Sequence, residues 1–263
     1  RLFGSVLAIE PDHAEALDGL AEGHFEAGDL AEARPLLERR LALPGGPERP
    51  RQLAMLGRAC EAEGSLDRAT ELEREALALD PGLDLAHEVL VRCEERAARP
   101  DLARAALATW ARATTDDGLA ARAARRAAEH ALAASDPLDA WQQLDWATTR
   151  DPELGEAWVL ACEVASGRVS ELELRALCER ALAHMTPGVH SARIALRLAR
   201  IAEIAGQRDE AVARYAEAWR WDPRCSEAAL CESRLARMAG DWIEADGVLS
   251  RFLDAHPDPE SAT

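Results

Sequence analysis

The sequence predicts an all-α solenoid built from antiparallel helix pairs, and three periodic features carry that expectation. Pro11, Pro81, Pro152, Pro223 and Pro257 are separated by 70, 71, 71 and 34 residues. These spacings fall close to multiples of one period near 34, the period of a helix–turn–helix array. Ala33, Ala69, Ala105, Ala140, Ala211 and Ala245 form a second comb at offsets of 36, 36, 35, 71 and 34. Each lies a few residues after a break such as Gly28-Asp29-Leu30, Gly64-Ser65-Leu66 or Gly240-Asp241-Trp242, and a small residue at a fixed place lets two helices approach closely. The third feature is an apolar run at helical spacing before each break, as in Leu53, Leu56, Gly57 and Cys60 or Ala195, Leu198, Ala199 and Ala202. Such a run gives each helix one buried stripe. A second helix follows the break, Asp67 to Leu79 or Arg208 to Trp219, and stops at Asp80-Pro81 or Asp222-Pro223. Proline disfavours helical geometry in the residue before it, so the unit is helix, tight turn, helix, proline-marked turn.

These residues resemble tetratricopeptide (TPR) repeats. Gly206, Ala211, Tyr215, Ala218 and Pro223 match that family's glycine, alanine, aromatic, alanine and proline places, and Gly240, Ala245, Leu249 and Pro257 repeat the match in the next unit. Leu53, Leu56, Gly57, Gly64, Ala69, Ala76 and Pro81 form another. The resemblance covers nearly the whole chain and implies a right-handed superhelical solenoid of about seven units plus a partial one at the N-terminus.

In chain order, Arg1 to Ile9 reads as the second helix of a unit whose first helix is missing, a partial unit over residues 1–13. Full units start near Ala14, Pro50, Asp84, Ala121, Gly155, Ala192 and Ser226. The match is specific in those from Ala14, Pro50, Ala192 and Ser226 and degenerate in the rest. Pro44-Gly45-Gly46-Pro47 reads as a lengthened turn between units, and the unit from Asp84 has Pro100-Asp101 where a turn glycine is expected. The unit from Gly155 offers either Leu174 or Ala176 at its small position. Trp219 and Trp221 lie two residues apart and cannot share one helix face, so either one is exposed or the helix has ended by Trp221. One continuous array over residues 1–263 fits this pattern, since repeat proteins grow by adding neighbours. Asp258 to Thr263 reads as the start of another turn with no capping helix after it, so the chain reads as a section of a longer protein.

The net charge is −17, from 48 acidic against 31 basic residues. That balance argues against nucleic acid and anionic membranes, which bind through clustered positive charge. No apolar run is long enough to span a membrane. Every basic residue counted is Arg, and Lys and Asn are both absent, a bias that a GC-rich bacterial genome explains. Cationic recognition must therefore use the planar, bidentate guanidinium, which suits carboxylates and phosphates.

The six cysteines, Cys60, Cys93, Cys162, Cys178, Cys225 and Cys231, show no CxxC pair and no zinc spacing. They read as small apolar packing residues, with Cys225, in a turn, the candidate if one thiol is reactive. Their number points to a reducing compartment, and we expect a cytoplasmic protein. His13, His184, His190 and His256 fall in turns and read as surface residues, not metal ligands. The tryptophans read as packing anchors. Runs such as Glu71, Glu73 and Glu75 read as a solvated helix face. No nucleophile–base constellation or phosphate loop stands out, so no catalytic residue, metal or cofactor is assigned.

In TPR proteins the first helix of each unit lines a concave wall where peptides commonly lie. Carried over unit by unit, that resemblance places Glu15, Asp18 and Glu22 at the front, Arg122, Arg125 and Glu129 in the middle, and Arg193, Arg197, Arg200, Arg234 and Arg237 at the rear. The seven arginines either form a ligand-binding cluster or pair with neighbours such as Glu203, Glu227 and Glu232 as a solvated network. The family's co-chaperone members grip a terminal carboxylate with Lys and Asn, neither of which occurs here. The expectation is a non-enzymatic scaffold that binds a protein or peptide in its groove, an acidic or carboxylate-bearing segment if the arginines hold it. The alternatives are a regulatory or substrate-recruiting section of a larger enzyme, such as a kinase or protease, and a structural component of an envelope or secretion assembly.

Overall fold

The computed structural model describes residues 2–255, and among them the chain is all-helical, with no strand. In order the helices are α1 (Leu2–Ile9), α2 (Ala14–Glu26), α3 (Leu30–Ala42), α4 (Arg49–Ala62), α5 (Leu66–Leu79), α6 (Asp84–Arg96), α7 (Pro100–Ala113), α8 (Asp117–Ala133), α9 (Pro137–Arg150), α10 (Gly155–Ala165), α11 (Glu171–His184), α12 (Val189–Ile204), α13 (Arg208–Trp221), α14 (Ser226–Met238) and α15 (Trp242–Asp254). Their contacts group into two compact units, Arg1–Gln143 and Leu144–Thr263, with the boundary inside α9. From α1 to α8 and from α10 to α15 consecutive helices pack on one another, and first helices of successive pairs also touch, as α4 does α6 and α10 does α12.

The turns fall where the two combs place them. Pro11, Pro81, Pro152 and Pro223 lie in turns between pairs, while Pro257 and His256 lie outside the described residues. The Pro44–Pro47 cluster sits in the long connection between α3 and α4. Inside a pair, Gly28, Gly64, Gly206 and Gly240 take left-handed conformations at φ 82°, 84°, 73° and 80°. The amide after each glycine reaches back to a carbonyl five residues earlier, as Asp29 N does to His24 O at 2.8 Å and Ser65 N to Cys60 O at 2.9 Å, which is the Schellman closure of a helix end.

Two pairs make the same closure without glycine. Ala98 and Ser135 take the left-handed place at φ 53° and 59°, and Arg99 N and Asp136 N close onto Glu94 O and Ala131 O at 2.9 and 2.8 Å. A Cβ in that region costs about 1–2 kcal/mol. Replacing Ala98 by Gly is therefore expected to stabilise the fold by up to about 1 kcal/mol after the added flexibility of the unfolded chain is subtracted. A denaturant melt with an unchanged or lower midpoint would contradict this.

The alanine comb marks the closest approach of paired helices, with one correction. Ala33, Ala69, Ala140 and Ala211 are fully buried and Ala245 nearly so. Ala105, however, is exposed, and Ala103 takes the buried place in α7. Pro100 opens α7, and the buried stripe then runs through Ala103, Ala106, Leu107 and Trp110 at helical spacing, which leaves Ala105 off it. In α11 the half-buried Leu174 fills the corresponding place and Ala176 is exposed. Helix α13 runs on through Trp221, so Trp219 is buried while Trp221 packs half-buried at the edge of the same core. Among the tryptophans, Trp110, Trp158 and Trp219 are core anchors, whereas Trp146 and Trp242 are exposed.

A second correction concerns Glu73. Glu71 and Glu75 are exposed, but Glu73 is completely buried and neither of its carboxyl oxygens has a hydrogen-bond partner. It stands over Gly57 of α4, where an added Cβ would collide with the carboxyl group. Leu37 and Tyr215, which hold the matching place on α3 and α13, are core residues. Burial pushes the Glu73 carboxyl up to about 10, against a smaller opposing pull from Arg92.

Candidate functional site

The surface of interest is the row of first helices in each unit, α2, α4, α6 and α8 in one and α10, α12 and α14 in the other. Their sequences bury the small apolar stripe and leave charged residues one turn apart on the remaining face. Consecutive first helices are laced together by those charges.

In the unit from Arg1 to Gln143, Gln52 and Arg51 of α4 donate to Asp18 and Glu22 of α2, both at 2.6 Å. Asp18 also accepts from Arg40 at 3.0 Å. The front carboxylates are thus engaged, and Glu15 stays exposed. A cleft of about 50 Å³ opens here beside Glu22, Arg51 and Met55. Further on, Arg92 and Arg96 of α6 reach Glu61 of α4 at 3.0 and 3.1 Å, and Arg126 of α8 reaches Glu95 of α6 at 2.6 Å. Glu61 is buried, which would raise its carboxyl, but hydrogen bonds from Arg58 and Arg92 outweigh that and hold it below the usual carboxylate range.

In the unit from Leu144 to Thr263, Arg197 of α12 donates to the carbonyl of Cys162 on α10 at 3.0 Å. Arg200 of α12 pairs with Glu227 of α14, and Arg234 of α14 reaches back to Glu203 of α12 at 2.6 Å. Glu203 also accepts from the Tyr215 hydroxyl at 2.8 Å. Burial works against the Glu203 charge, and Tyr215 and Arg234 together hold its carboxyl low all the same. Glu232 is not part of this lattice. It is buried and accepts from the Trp219 indole at 2.6 Å, and burial pushes its carboxyl up.

The seven arginines singled out by sequence therefore have different fates. Arg200 and Arg234 are committed to neighbouring first helices, Arg197 is half-buried on a backbone carbonyl, and Arg125 pairs with Glu129 along α8. Arg122, Arg193 and Arg237 are exposed, and no ion pair or hydrogen bond of their side chains occurs among the described residues. Arg193 and Arg237 share one unit, on α12 and α14, while Arg122 belongs to the other. The glutamates that neutralise Arg200 and Arg234 lie about one repeat away in sequence, Glu227 27 positions after Arg200 and Glu203 31 positions before Arg234.

The remaining candidates are structural. His13 caps α2, accepting from Ala16 N at 3.3 Å through Nδ1, and His184 stacks on Trp158. Cys225 precedes α14, where it is half-buried, and burial pushes its thiol up. Among the described residues no cluster of three or more His, Cys, Asp or Glu side chains could hold a metal. No described helix is long and apolar enough to cross a membrane.

No protein-family model matches the chain, nor does any curated protein. Solved structures do. The C-terminal part of a TPR repeat-containing protein from Cytophaga hutchinsonii superposes with a TM-score of 0.64 at 13% identity, covering 86% of this chain and 90% of that one. PilF of Pseudomonas aeruginosa gives 0.51 at 19% identity over 80% and 93%. A tetratricopeptide repeat protein of Parabacteroides merdae gives 0.50 at 14% identity over 94% and 95%.

Proposed function

We propose that this chain, which has the tetratricopeptide-repeat fold, is a non-enzymatic protein-interaction scaffold that holds an acidic segment of its partner against the first helices of its second unit. The fold supports a general scaffold role. The observation that carries the finer reading is the uneven state of the arginines: Arg125, Arg200 and Arg234 are neutralised by Glu partners and Arg197 donates to a backbone carbonyl, whereas Arg193 and Arg237 are left exposed on α12 and α14. A net charge of −17 repels an acidic ligand at long range, so recognition rests on short-range, charge-assisted hydrogen bonds from guanidinium groups. Arg200 and Arg234 can join only by exchanging a glutamate for the ligand's carboxylate. Arg122 offers the same chemistry singly on α8. Nucleic acid does not suit such a surface, because too few cations are free of carboxylate partners.

The test is a fluorescence titration with short labelled peptides, one rich in Glu with a free C-terminus and one rich in Arg. Truncating Arg193 or Arg237 to Ala is expected to weaken the Glu-rich peptide about tenfold or more, the scale of a hydrogen bond to a charged group. Glu22→Ala is expected to leave its affinity unchanged or improved. Preference for the Arg-rich peptide, lost in Glu22→Ala, would replace this reading with a basic partner on the front helices.

A further inference from the structure

Paired helices meet along a column in which a small residue of the first helix faces a residue on the second that comes 16 positions later. Gly57 meets Glu73 in this way, and the α10–α11 pair places Cys162 opposite Cys178. Both cysteines are fully buried, and their sulfurs lie 3.5 Å apart in an S–H···S contact. A disulfide needs about 2 Å, so closure requires an approach of roughly one and a half ångströms, within reach of small side-chain and helix adjustments. The connection between these helices can supply them. It runs over residues 166–170, whereas α4 and α5 are joined by residues 63–65 and α12 and α13 by residues 205–207.

The surroundings also favour chemistry at sulfur. Arg197 donates to the Cys162 carbonyl at 3.0 Å and so places a guanidinium beside the pair. The hydrogen bond shared by the two sulfurs holds the Cys178 thiol below its ordinary range despite burial, with Arg197 adding to the effect, and raises Cys162. A thiolate, not a thiol, is the nucleophile in such chemistry.

We propose that Cys162 and Cys178 form an oxidisable dithiol site, converted by a hydroperoxide into a disulfide that clamps α10 to α11. The Cys178 thiolate attacks the peroxide, the O–O bond breaks, and the leaving oxygen departs as an alcohol, or as water from hydrogen peroxide. Cys178 is then a sulfenic acid. The sulfur of Cys162, giving up its proton, attacks the Cys178 sulfur; the S–O bond breaks and the oxygen leaves as water. The two sulfurs together lose two electrons and the peroxide gains two. Because both sulfurs are buried, reaction proceeds through brief local opening of the α10–α11 pair, which a small peroxide can exploit.

The experiment treats the full chain with hydrogen peroxide, alkylates the remaining thiols after denaturation, and maps the peptides by mass spectrometry. A cross-linked peptide joining Cys162 and Cys178 is expected, together with a rise in melting temperature that dithiothreitol reverses. Cys162→Ala and Cys178→Ala should each abolish both changes. Recovery of both cysteines as alkylated thiols from the oxidised chain would overturn the proposal, as would a melting shift that persists in either variant.

Discussion

Replacing Glu73 by Leu is expected to stabilise the protein by about 1–3 kcal/mol near neutral pH, the penalty of a buried polar group left without partners. The matching place holds Leu37 in α3 and Leu107 in α7, both buried, so an aliphatic side chain suits the space. The nearby cation, Arg92, is already engaged with Glu61 and Glu88 and does not offset the burial. The effect depends on pH in a definite direction. Glu73 in the folded chain is raised from 4.5 to about 10, so the folded state keeps a proton that the unfolded state releases. Its contribution is complete below pH 4.5 and is lost as pH rises through about 10, at a slope on the order of 1 kcal/mol per pH unit. Glu73→Gln, which cannot titrate, should remove that slope. Melts across this range settle the matter, and a Glu73→Leu variant less stable than the parent would contradict the account of an unpaired buried acid.

The second large effect is overpacking. Ala211 is fully buried where α13 meets α12, beside Ala199 and Tyr215. Leucine there adds methylenes to the tightest part of the contact and is expected to cost about 1–3 kcal/mol. Ala105→Leu is the control, because Ala105 is exposed on α7 and the change should lie within about 0.5 kcal/mol of neutral. Equal melting temperatures for Ala211→Leu and the parent would show that the helix phase is wrong.

How far the sequence reaches depends on which physical constraint is local. Proline and the turn glycines act on their own backbone, so Pro11, Pro81, Pro152, Pro223, Gly28, Gly64, Gly206 and Gly240 mark the turns directly. Ala98 and Ser135 are not marked in the sequence, because nothing local announces a left-handed alanine or serine; the helices on either side impose it. In α7 the run Ala103-Arg104-Ala105-Ala106 is small on several faces, and only the folded packing decides that Ala103 and Ala106 are buried and Ala105 exposed. Glu73 was hidden by Glu71 and Glu75, whose charges make the stretch look uniformly solvated. Counting 16 residues on from Gly57 would have placed it in the core column, and the same count from Cys162 reaches Cys178. The arginines of the candidate surface were legible as residues but not as free or paired groups, since Glu203 and Glu227 lie on neighbouring helices and find Arg234 and Arg200 only in the folded stack.

The central functional claim is that an acidic ligand lies on the first helices of the second unit, and backbone amide mapping of the bound Glu-rich peptide tests it most directly. The account predicts shift changes concentrated on α12 and α14 around Arg193 and Arg237, with α13 and α15 unaffected. Changes confined to α13 and α15, or to the acidic residues of α2, would contradict it.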